Sequence, residues 1–374
     1  MKILEWNLNE FLEAEDVWNE ALRGSADDNP FLRSEWLGNW WKHFGLESEC
    51  LVAIAQDGNR ILVAAPLMYS RLPFLGLKLT RLQFIASDVS DYLGFLVVER
   101  RRDCVQGLLD YVASRGRIVN LRGILENSWS AGTLRQVSRR LMLREDVDSV
   151  CPYIPLPTKW EDYFPKLSSR LRSNLLRRER NLRRSYSVDF KIASKPAEVE
   201  KALSALFDWH QHRYGMATGM FSSREVRDFH MDVASSFASR GLLAVGVLEL
   251  NGKPAAVTYN FNYANRLYCY AQAFAPQYSR YGVGSVLEMY MIRDCITRGL
   301  REYDFLGGVE SYKTRWSRLA RRTVRFRGGL GIIPATYKLT ARSIEFVSVL
   351  ARRTPVAKRL HESRLYSMLL RTME

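Results

Sequence analysis

A strand-rich stretch that runs into a glycine turn decides the fold of this chain. Residues 242–274 read LLAVGVLELNGKPAAVTYNFNYANRLYCYAQAF, and residues 275–285 continue with APQYSRYGVGS. The apolar runs are punctuated by the Asn251-Gly252 pair, and this spacing predicts an antiparallel meander. A helix is predicted from Gly284 to Thr297, because Gly299 is well suited to end it. The order of meander, glycine turn and helix differs from the β-α-β order of dinucleotide-binding folds.

The glycine turn has the features of a phosphate-binding site. The first turn of a helix leaves backbone N–H groups unpaired, and the helix dipole favours negative charge there. Gly282 and Gly284 have no side chain to block close approach, so a pyrophosphate fits against the backbone, and Arg280 adds a positive charge. A permissive turn without a ligand explains the same glycines, so the pattern alone leaves both interpretations open. The predicted cofactor-binding residues are Arg280, Tyr281, Gly282, Val283, Gly284 and Ser285.

The rest of the chain alternates strands and helices, as an α/β protein does. Three prolines at 152–157 and a loss of periodicity indicate a domain boundary. We therefore expect an N-terminal domain at 1–155, a C-terminal domain with the cofactor site at 156–330, and a basic helical tail at 331–374. The strands predicted outside the meander are 1–6, 51–55, 60–65, 79–85, 92–98, 118–121, 188–192, 303–306 and 323–326. Six helices are predicted before the meander. The first ends near Arg23, and the others span 31–44, 102–114, 168–184, 196–214 and 224–239.

Downstream of the predicted helix the sequence becomes more specific. Residues 299–308 read GLREYDFLGG, and residues 310–316 read ESYKTRW. Together with Gln277-Tyr278-Ser279 and Gly284, this pattern resembles the CelD-like acyltransferases. That group is named for cellulose-biosynthesis loci, is related to the Fem-type transferases and belongs to the GNAT superfamily.

The resemblance implies both a fold and a co-substrate. The implied fold is two tandem GNAT-like domains, each a mixed, mostly antiparallel sheet flanked by helices, followed by a helical tail. The implied co-substrate is acetyl-CoA or another acyl-CoA, with no metal. One residue departs from the general GNAT phosphate motif, which has Gln or Arg three residues before its first glycine. This chain has Ser279 there.

The implied reaction is attack by an amine, or less often a hydroxyl, on an acyl thioester. The acceptor is expected to be a small molecule or one related to the envelope or to polysaccharides. Such a transfer needs aligned substrates, a proton acceptor and donors for the oxyanion. Backbone N–H groups near Gln272 to Phe274 are candidates for the oxyanion contact.

Four residues of the motif are the candidates for catalysis. Glu310 is the predicted general base, and Tyr312 is the predicted acid that protonates the leaving thiolate. Lys313 is a candidate contact for an anionic substrate group. Asp304, expected to be buried, either orients Lys313 or acts on the acceptor. A surface, packing or solvated role explains each of these residues as well.

A second group of candidates lies at the end of the predicted helix 196–214. His210 and Arg213 precede the segment 215–219, and a loop beside a rigid helix end suits acceptor binding. We therefore predict a substrate-binding role for both residues, with a structural histidine as the alternative.

Positive charge is concentrated in two places. The formal net charge of +15 favours anionic partners. In the helix 168–184, Leu171, Leu175 and Leu182 form a narrow apolar stripe, and arginines supply the polar side. A solvated face, an anionic substrate and a tRNA backbone all fit this helix. Interleaved aromatic residues are absent, which argues against single-stranded nucleic acid, and no DNA partner is expected.

Two alternatives to a CoA-dependent enzyme follow from these charges. One is a Fem-like transferase that uses aminoacyl-tRNA. The other is a non-catalytic scaffold whose basic C-terminal helices lie on an anionic membrane surface. The start of the chain, Met1 to Asn7, lacks a secretory apolar stretch, so the expected location is the cytoplasm, with the inner membrane face as the peripheral alternative.

Cysteine and histidine spacing gives no support for a metal site. The five cysteines are scattered and show no C-x-x-C pair, and the five histidines show no H-E-x-x-H pattern. Reduced thiols and no bound metal are therefore expected.

Overall fold

The computed structural model describes residues 2–74, 77–115, 118–139, 142–214 and 220–328. The predicted tail at 331–374 and the segment 215–219 lie outside the described residues. Contacts divide the described residues into two compact units. Unit 1 takes residues 2–28, 44–148 and 323–328, and unit 2 takes residues 29–43 and 149–322. The domain limits expected from the sequence, near 155 and 330, stay a prediction.

The strands of the described residues are numbered in chain order. They are β1 (Lys2–Trp6), β2 (Ser48–Asp57), β3 (Arg60–Phe74), β4 (Leu77–Phe84), β5 (Leu96–Val97), β6 (Ile118–Leu125), β7 (Arg144–Pro155), β8 (Val188–Ala193), β9 (Leu243–Leu250), β10 (Lys253–Tyr263), β11 (Arg266–Phe274), β12 (Glu302–Asp304) and β13 (Ala320–Gly328).

The helices are numbered in the same way. They are α1 (Leu8–Glu13), α2 (Glu15–Arg23), α3 (Ser34–Phe44), α4 (Arg102–Arg115), α5 (Trp129–Val137), α6 (Trp160–Tyr163), α7 (Ser169–Ser185), α8 (Pro196–Tyr214), α9 (Arg224–Ser239), α10 (Val283–Thr297) and α11 (Ser311–Thr314). The described part of the chain contains no helix with the length and apolar composition of a bilayer span.

Unit 1 contains a mostly antiparallel sheet with the order β1-β2-β3-β4-β6-β13. The β4–β6 pair is parallel, and β5 adds a short antiparallel pair to β3. The strand predicted at 92–98 is wrong for most of its length, since β5 has only two residues. The N–H groups of Phe95 and Val97 donate to Ser130 Oγ and Ser25 Oγ at 2.8 and 2.9 Å, so side chains satisfy these two buried positions. Leu93 forms only an isolated bridge to Ile124.

Unit 2 contains a second mostly antiparallel sheet, with the order β7-β12-β11-β10-β9-β8. The predicted meander is confirmed as β9, β10 and β11, and the following helix starts at Val283, one residue before its predicted start. The predicted fold class, a mixed α/β protein with mostly antiparallel sheets flanked by helices, is confirmed.

Alternate residues of β11 face opposite sides of the sheet in unit 2. Leu267 and Cys269 belong to the apolar cluster that also holds α7 and α10. Tyr270 instead contacts Trp36 of α3, with ring centroids 5.7 Å apart. The sheet is therefore covered by helices on both faces, as period-two alternation requires.

A β-bulge interrupts this alternation near the end of β11. Tyr259 pairs with Ala271 and Asn260 pairs with Cys269, so Tyr270 has no partner in the β10 register. One extra residue reverses the facing of the side chains that follow. The bulge therefore turns Gln272 and Phe274 toward α10, and both contact its first turn.

Leu175 should be essential for packing α7 against the core of unit 2. Its side chain is fully buried, whereas the neighbouring Leu176 is 47% exposed. We expect Leu175→Ala to lower the free energy of unfolding by about 2–5 kcal/mol, because it leaves a cavity. Leu176→Ala is the matched control and should stay within about 0.5 kcal/mol of the wild type. Urea denaturation followed by circular dichroism measures both, and equal effects would contradict this packing.

Candidate functional site

The glycine turn delivers the start of α10 directly after β11. Residues Pro276–Tyr281 form a short 3-10 helix, and Gly282 follows with a left-handed backbone at φ 65° and ψ 38°. The Gly282 carbonyl accepts from the N–H groups of Ser285 and Val286, so it opens the helix. The first turn of α10 has no acidic residue and no side-chain cap. The positive end of the helix dipole is therefore left without a carboxylate.

Arg178 of α7 lies against this turn. Its Nη1 donates to Ser285 Oγ at 3.1 Å. A Cβ built on Gly282 would stand 2.6 Å from Arg178 Nε, closer than real Cβ atoms approach. The positive φ of Gly282 favours glycine, and a side chain at this position would also displace the Arg178 guanidinium. Arg178 was predicted to lie with the other arginines on the polar side of α7, but it is half-buried and faces this turn.

The other predicted cofactor residues surround the same turn. Arg280 lies over the ring of Tyr281, 4.8 Å from its centroid, and donates to the Tyr281 hydroxyl at 2.8 Å. Val283 is buried in the apolar cluster of unit 2. A Cβ on Gly284 would lie 3.3 Å from the Phe274 ring, so Gly284 packs closely on the end of β11.

One of the two predicted acceptor residues approaches the turn. The guanidinium of Arg213, at the end of α8, lies 5.7 Å from the centroid of the Phe274 ring. Because Phe274 also contacts Gly284, Arg213 and the glycine turn share a neighbour. His210 instead packs on Phe221, with ring centroids 5.0 Å apart. Burial, and secondarily the Arg213 charge, lowers the pKa of His210.

A buried acid that the sequence analysis did not single out lies one turn into α10. Glu288 is 1% exposed, and its Oε2 accepts from the Gln272 side-chain amide at 2.9 Å. The same amide nitrogen donates to the Gly284 carbonyl at 3.0 Å. Gln272 therefore links the end of β11, the first turn of α10 and the acid.

The surroundings of Glu288 favour its neutral form. Burial raises its pKa to about 7, against smaller opposing contributions from Tyr303, Arg315, Lys313 and Gln272. Glu288 Oε1 makes no hydrogen bond of standard geometry within the described residues, although the Tyr303 hydroxyl is close enough to act on the pKa of Glu288. The available sequence signal was a carboxylate inside the otherwise apolar stretch VGSVLEMYMI that opens α10. Such an acid, buried beside a sheet edge, is a candidate functional group.

The predicted catalytic residues of α11 form a connected group. Glu310 precedes the helix, has a 54% exposed side chain and pairs with Lys313 Nζ at 3.3 Å. Lys313 is 7% exposed, and its Nζ also donates to the Gly307 carbonyl. The carbonyl of Tyr312 accepts from Arg315 Nε at 3.0 Å. Their roles in catalysis stay predictions.

Asp304 is fully buried, as expected from the sequence, and two of its contacts are defined. Its Oδ1 accepts from the N–H of Leu306 at 2.8 Å, and its Oδ2 lies 3.7 Å from Arg321 Nη1. Lys313 bonds to Gly307 and Glu310, and the predicted roles of Asp304, to orient Lys313 or to act on the acceptor, stay predictions. Within the described residues, no group of three His, Cys, Asp or Glu side chains is placed to hold a metal.

Comparison with known proteins assigns a class to this arrangement. The family model described as the acetyltransferase (GNAT) domain matches residues 169–314, which run from α7 through α11. Residues 169–314 of this chain are therefore similar to a GNAT-type acetyltransferase domain. The predicted GNAT resemblance is confirmed at this level, and the CelD-like subgroup stays a prediction. No curated protein matches the chain closely enough to count as a relative.

Solved structures share the fold at low sequence identity. FemX is 9% identical, with a TM-score of 0.60 over 87% of this chain and 97% of that one. A conserved protein of unknown function from Bacteroides thetaiotaomicron VPI-5482 is 11% identical, with a TM-score of 0.55 over 84% and 97%. A C-terminal DUF2156 domain from Agrobacterium fabrum is 11% identical, with a TM-score of 0.52 over 90% and 97%. Identities this low show a common fold, and the reaction has to be argued from the site.

Titration of Glu288 should make the folded protein less stable as the pH rises. Its pKa is about 7 in the fold against an ordinary value of 4.5. Over that interval the folded state keeps the proton while the unfolded chain releases it, so the free energy of unfolding falls with increasing pH. We expect Glu288→Gln to gain about 2 kcal/mol relative to the wild type between about pH 5 and pH 8.

Urea denaturation across that pH range measures the difference. Leu176→Ala is the control, because it changes an exposed side chain without a titratable group, and its profile should run parallel to that of the wild type. Parallel profiles for Glu288→Gln would show that the folded protein does not hold this proton.

Proposed function

We propose that unit 2 transfers an acyl group from acyl-CoA, acetyl-CoA first, to an amine or hydroxyl of a small or polysaccharide-related acceptor. The observation that carries this proposal is the open edge of β11 that leads to the start of α10. β12 pairs with β11 only from Arg266 to Tyr268, so the stretch from Cys269 to Phe274 has no β12 partner among the described residues. This edge ends beside Gly284.

The donor suits this geometry at both of its ends. An open strand edge presents N–H and C=O groups that pair with another extended chain, and the amides of a pantetheine arm can act as such a chain. The pyrophosphate would then lie at the start of α10, where the helix dipole and unpaired N–H groups favour an anion. The thioester would lie near the bulge at Tyr270, whose N–H is outside the β10 register.

The chemistry needs only groups that this region supplies. The acceptor nitrogen or oxygen attacks the acyl carbon, the new bond forms as the C–S bond breaks, and CoA leaves as a thiolate that takes up a proton. Backbone N–H groups near the bulge would stabilise the oxyanion. Glu310, next to Lys313, is the proposed proton acceptor, and Tyr312 is the proposed donor to the thiolate. Asp304, held by Leu306 and Arg321, would support the end of β12.

Binding of CoA is the first test of this function. At a CoA concentration about 100 times Kd, we expect the melting temperature to rise by about 5–10 °C, because the ligand binds the folded state alone. Gly284→Glu should abolish the rise, since it adds a carboxylate and a side chain where Gly284 packs on Phe274 and Gln272.

Gly132→Glu in α5 is the matched control. A Cβ at Gly132 meets no atom within 4 Å, and it adds the same charge to a helix of unit 1. This variant should keep the full shift. A wild-type protein that shows no shift with CoA or acetyl-CoA would sink the proposal.

Exposed arginines of α7 favour aminoacyl-tRNA as a second candidate donor. Arg177 and Arg180 are exposed, as are several others of this helix, and a row of arginines can follow a phosphate backbone. The exposed arginines are Arg170, Arg177, Arg180, Arg183 and Arg184.

Salt dependence distinguishes this second donor. If tRNA binds along α7, Arg177→Glu with Arg180→Glu should weaken tRNA binding and reduce the slope of log K against log salt by about 2. Exposed basic residues on other helices, changed as Arg224→Glu with Lys201→Glu, are the control. Filter binding at several salt concentrations measures the slope, and an equal loss in both double variants would exclude a specific role for α7.

A further inference from the structure

Arg178 occupies a position on α7 that its sequence spacing gives to the buried face. Leu171, Leu175 and Leu182 are the buried residues of α7. Position 178 lies three residues after Leu175 and four before Leu182, so it continues the same stripe. Its neighbours Arg177 and Arg180 are exposed, whereas Arg178 is half-buried. An arginine in an apolar stripe needs a reason to be there.

The contacts of Arg178 aim its charge at the start of α10. One donor goes to Ser285 Oγ at 3.1 Å, and Nε, Cδ and Cζ all lie within 2.8 Å of where a Gly282 Cβ would stand. No carboxylate among the described residues lies within ion-pair distance of Arg178. A guanidinium has five N–H donors, so most of its donors are available to a bound oxyanion.

A second arginine lies within electrostatic range of Arg178. Partial desolvation lowers the pKa of Arg315, and the nearby Arg178 charge lowers it further, whereas Glu288 and Tyr312 raise it. Arg315 is therefore partly compensated by its neighbours, and Arg178 is the cation that a bound anion would match.

An independent feature deeper in α10 also indicates a ligand. Glu288 lies four residues after Gly284, on the same face of the helix, and Gln272 bonds to both. Its Oε1 makes no hydrogen bond of standard geometry within the described residues, and the Tyr303 hydroxyl acts on its pKa. The region thus offers an anion site at Arg178 and, one turn away, a buried carboxyl group whose neutral form is favoured by burial. This spatial order along α10 suits a donor that has phosphates at one end and an arm with amide groups.

We propose that Arg178 binds the pyrophosphate of the acyl donor and supplies, from α7, the cation that the phosphate turn lacks at Ser279. The proposal rests on the proposed function and adds a residue from outside the glycine turn to it. Arg178 approaches the diphosphate across Gly282, and Ser285 holds the guanidinium in that orientation. The diphosphate binds between Arg178 and the first N–H groups of α10.

Calorimetric binding of three probes tests this role: CoA, inorganic pyrophosphate and pantetheine, which lacks the phosphates. We expect Arg178→Gln to weaken CoA binding about 10- to 100-fold and to weaken pyrophosphate binding similarly, with pantetheine unchanged. Arg178→Lys keeps the charge without the planar fork and should fall between. Arg224→Gln, at an exposed arginine that starts α9, should bind all three probes as the wild type does.

The probes separate failure of this inference from failure of the proposed function. CoA binding that is equal in Arg178→Gln and the wild type overturns the role of Arg178 and leaves the acyl-CoA assignment standing. An equal loss for pantetheine and CoA also overturns it, because it shows a general disturbance of the site. Pyrophosphate binding that depends on Arg178 in a protein that binds no CoA supports the anion site and removes CoA as the donor. Arg178→Lys keeps the test decisive if Arg178→Gln does not fold.

Discussion

The left-handed backbone at Gly282 ends the 3-10 turn and starts α10 within a single residue. With φ at 65°, this position strains any residue that has a Cβ, and the guanidinium of Arg178 fills the space that a Cβ would take. The direction of α10 depends on this residue, because the helix must fold back from the end of β11. The contact between α7 and the helix start depends on it too. One conformational constraint therefore fixes both the orientation of the helix dipole and the approach of the cation.

Burial of α10 explains the unusual acid in its interior. The helix packs on the sheet of unit 2 and against α7, so most of its residues are buried and few positions tolerate charge. Glu288 is accommodated because Gln272 donates to it and because its raised pKa lets it carry a proton near neutral pH. A neutral buried acid costs far less than a buried carboxylate. The proton on Glu288 and the positive charges of Arg178 and Arg315 nearby therefore belong to one electrostatic arrangement.

The elements predicted correctly are those whose limits are set by residues close in sequence, such as turn and helix-end glycines. The meander and α10 lie close to their predicted limits, since the Asn251-Gly252 turn and Gly299 act through their own backbone angles. The strand β7 was missed, because its residues 144–148 are largely charged and its aspartates bond arginines, such as Arg327 with Asp146. Of the site, the glycine turn followed from helix-end chemistry. Arg178 and Glu288 did not, because their partners come from elements distant in sequence.

Charge balance indicates where an anion would bind in unit 2. Three cations near β12 are already matched: Lys313 by Glu310, Arg266 by Glu302, and Arg321 by Glu302 and Asp304. A phosphate there would have to compete with carboxylates held at hydrogen-bonding or ion-pair distance. At the start of α10 no carboxylate of the described residues lies within ion-pair distance of Arg178, and the dipole adds to its field. The same charge balance bears on Lys313, which is buried among the predicted catalytic residues. Its ammonium group already bonds the Gly307 carbonyl and pairs with Glu310, so it is a weaker candidate than Arg178 for binding a substrate anion.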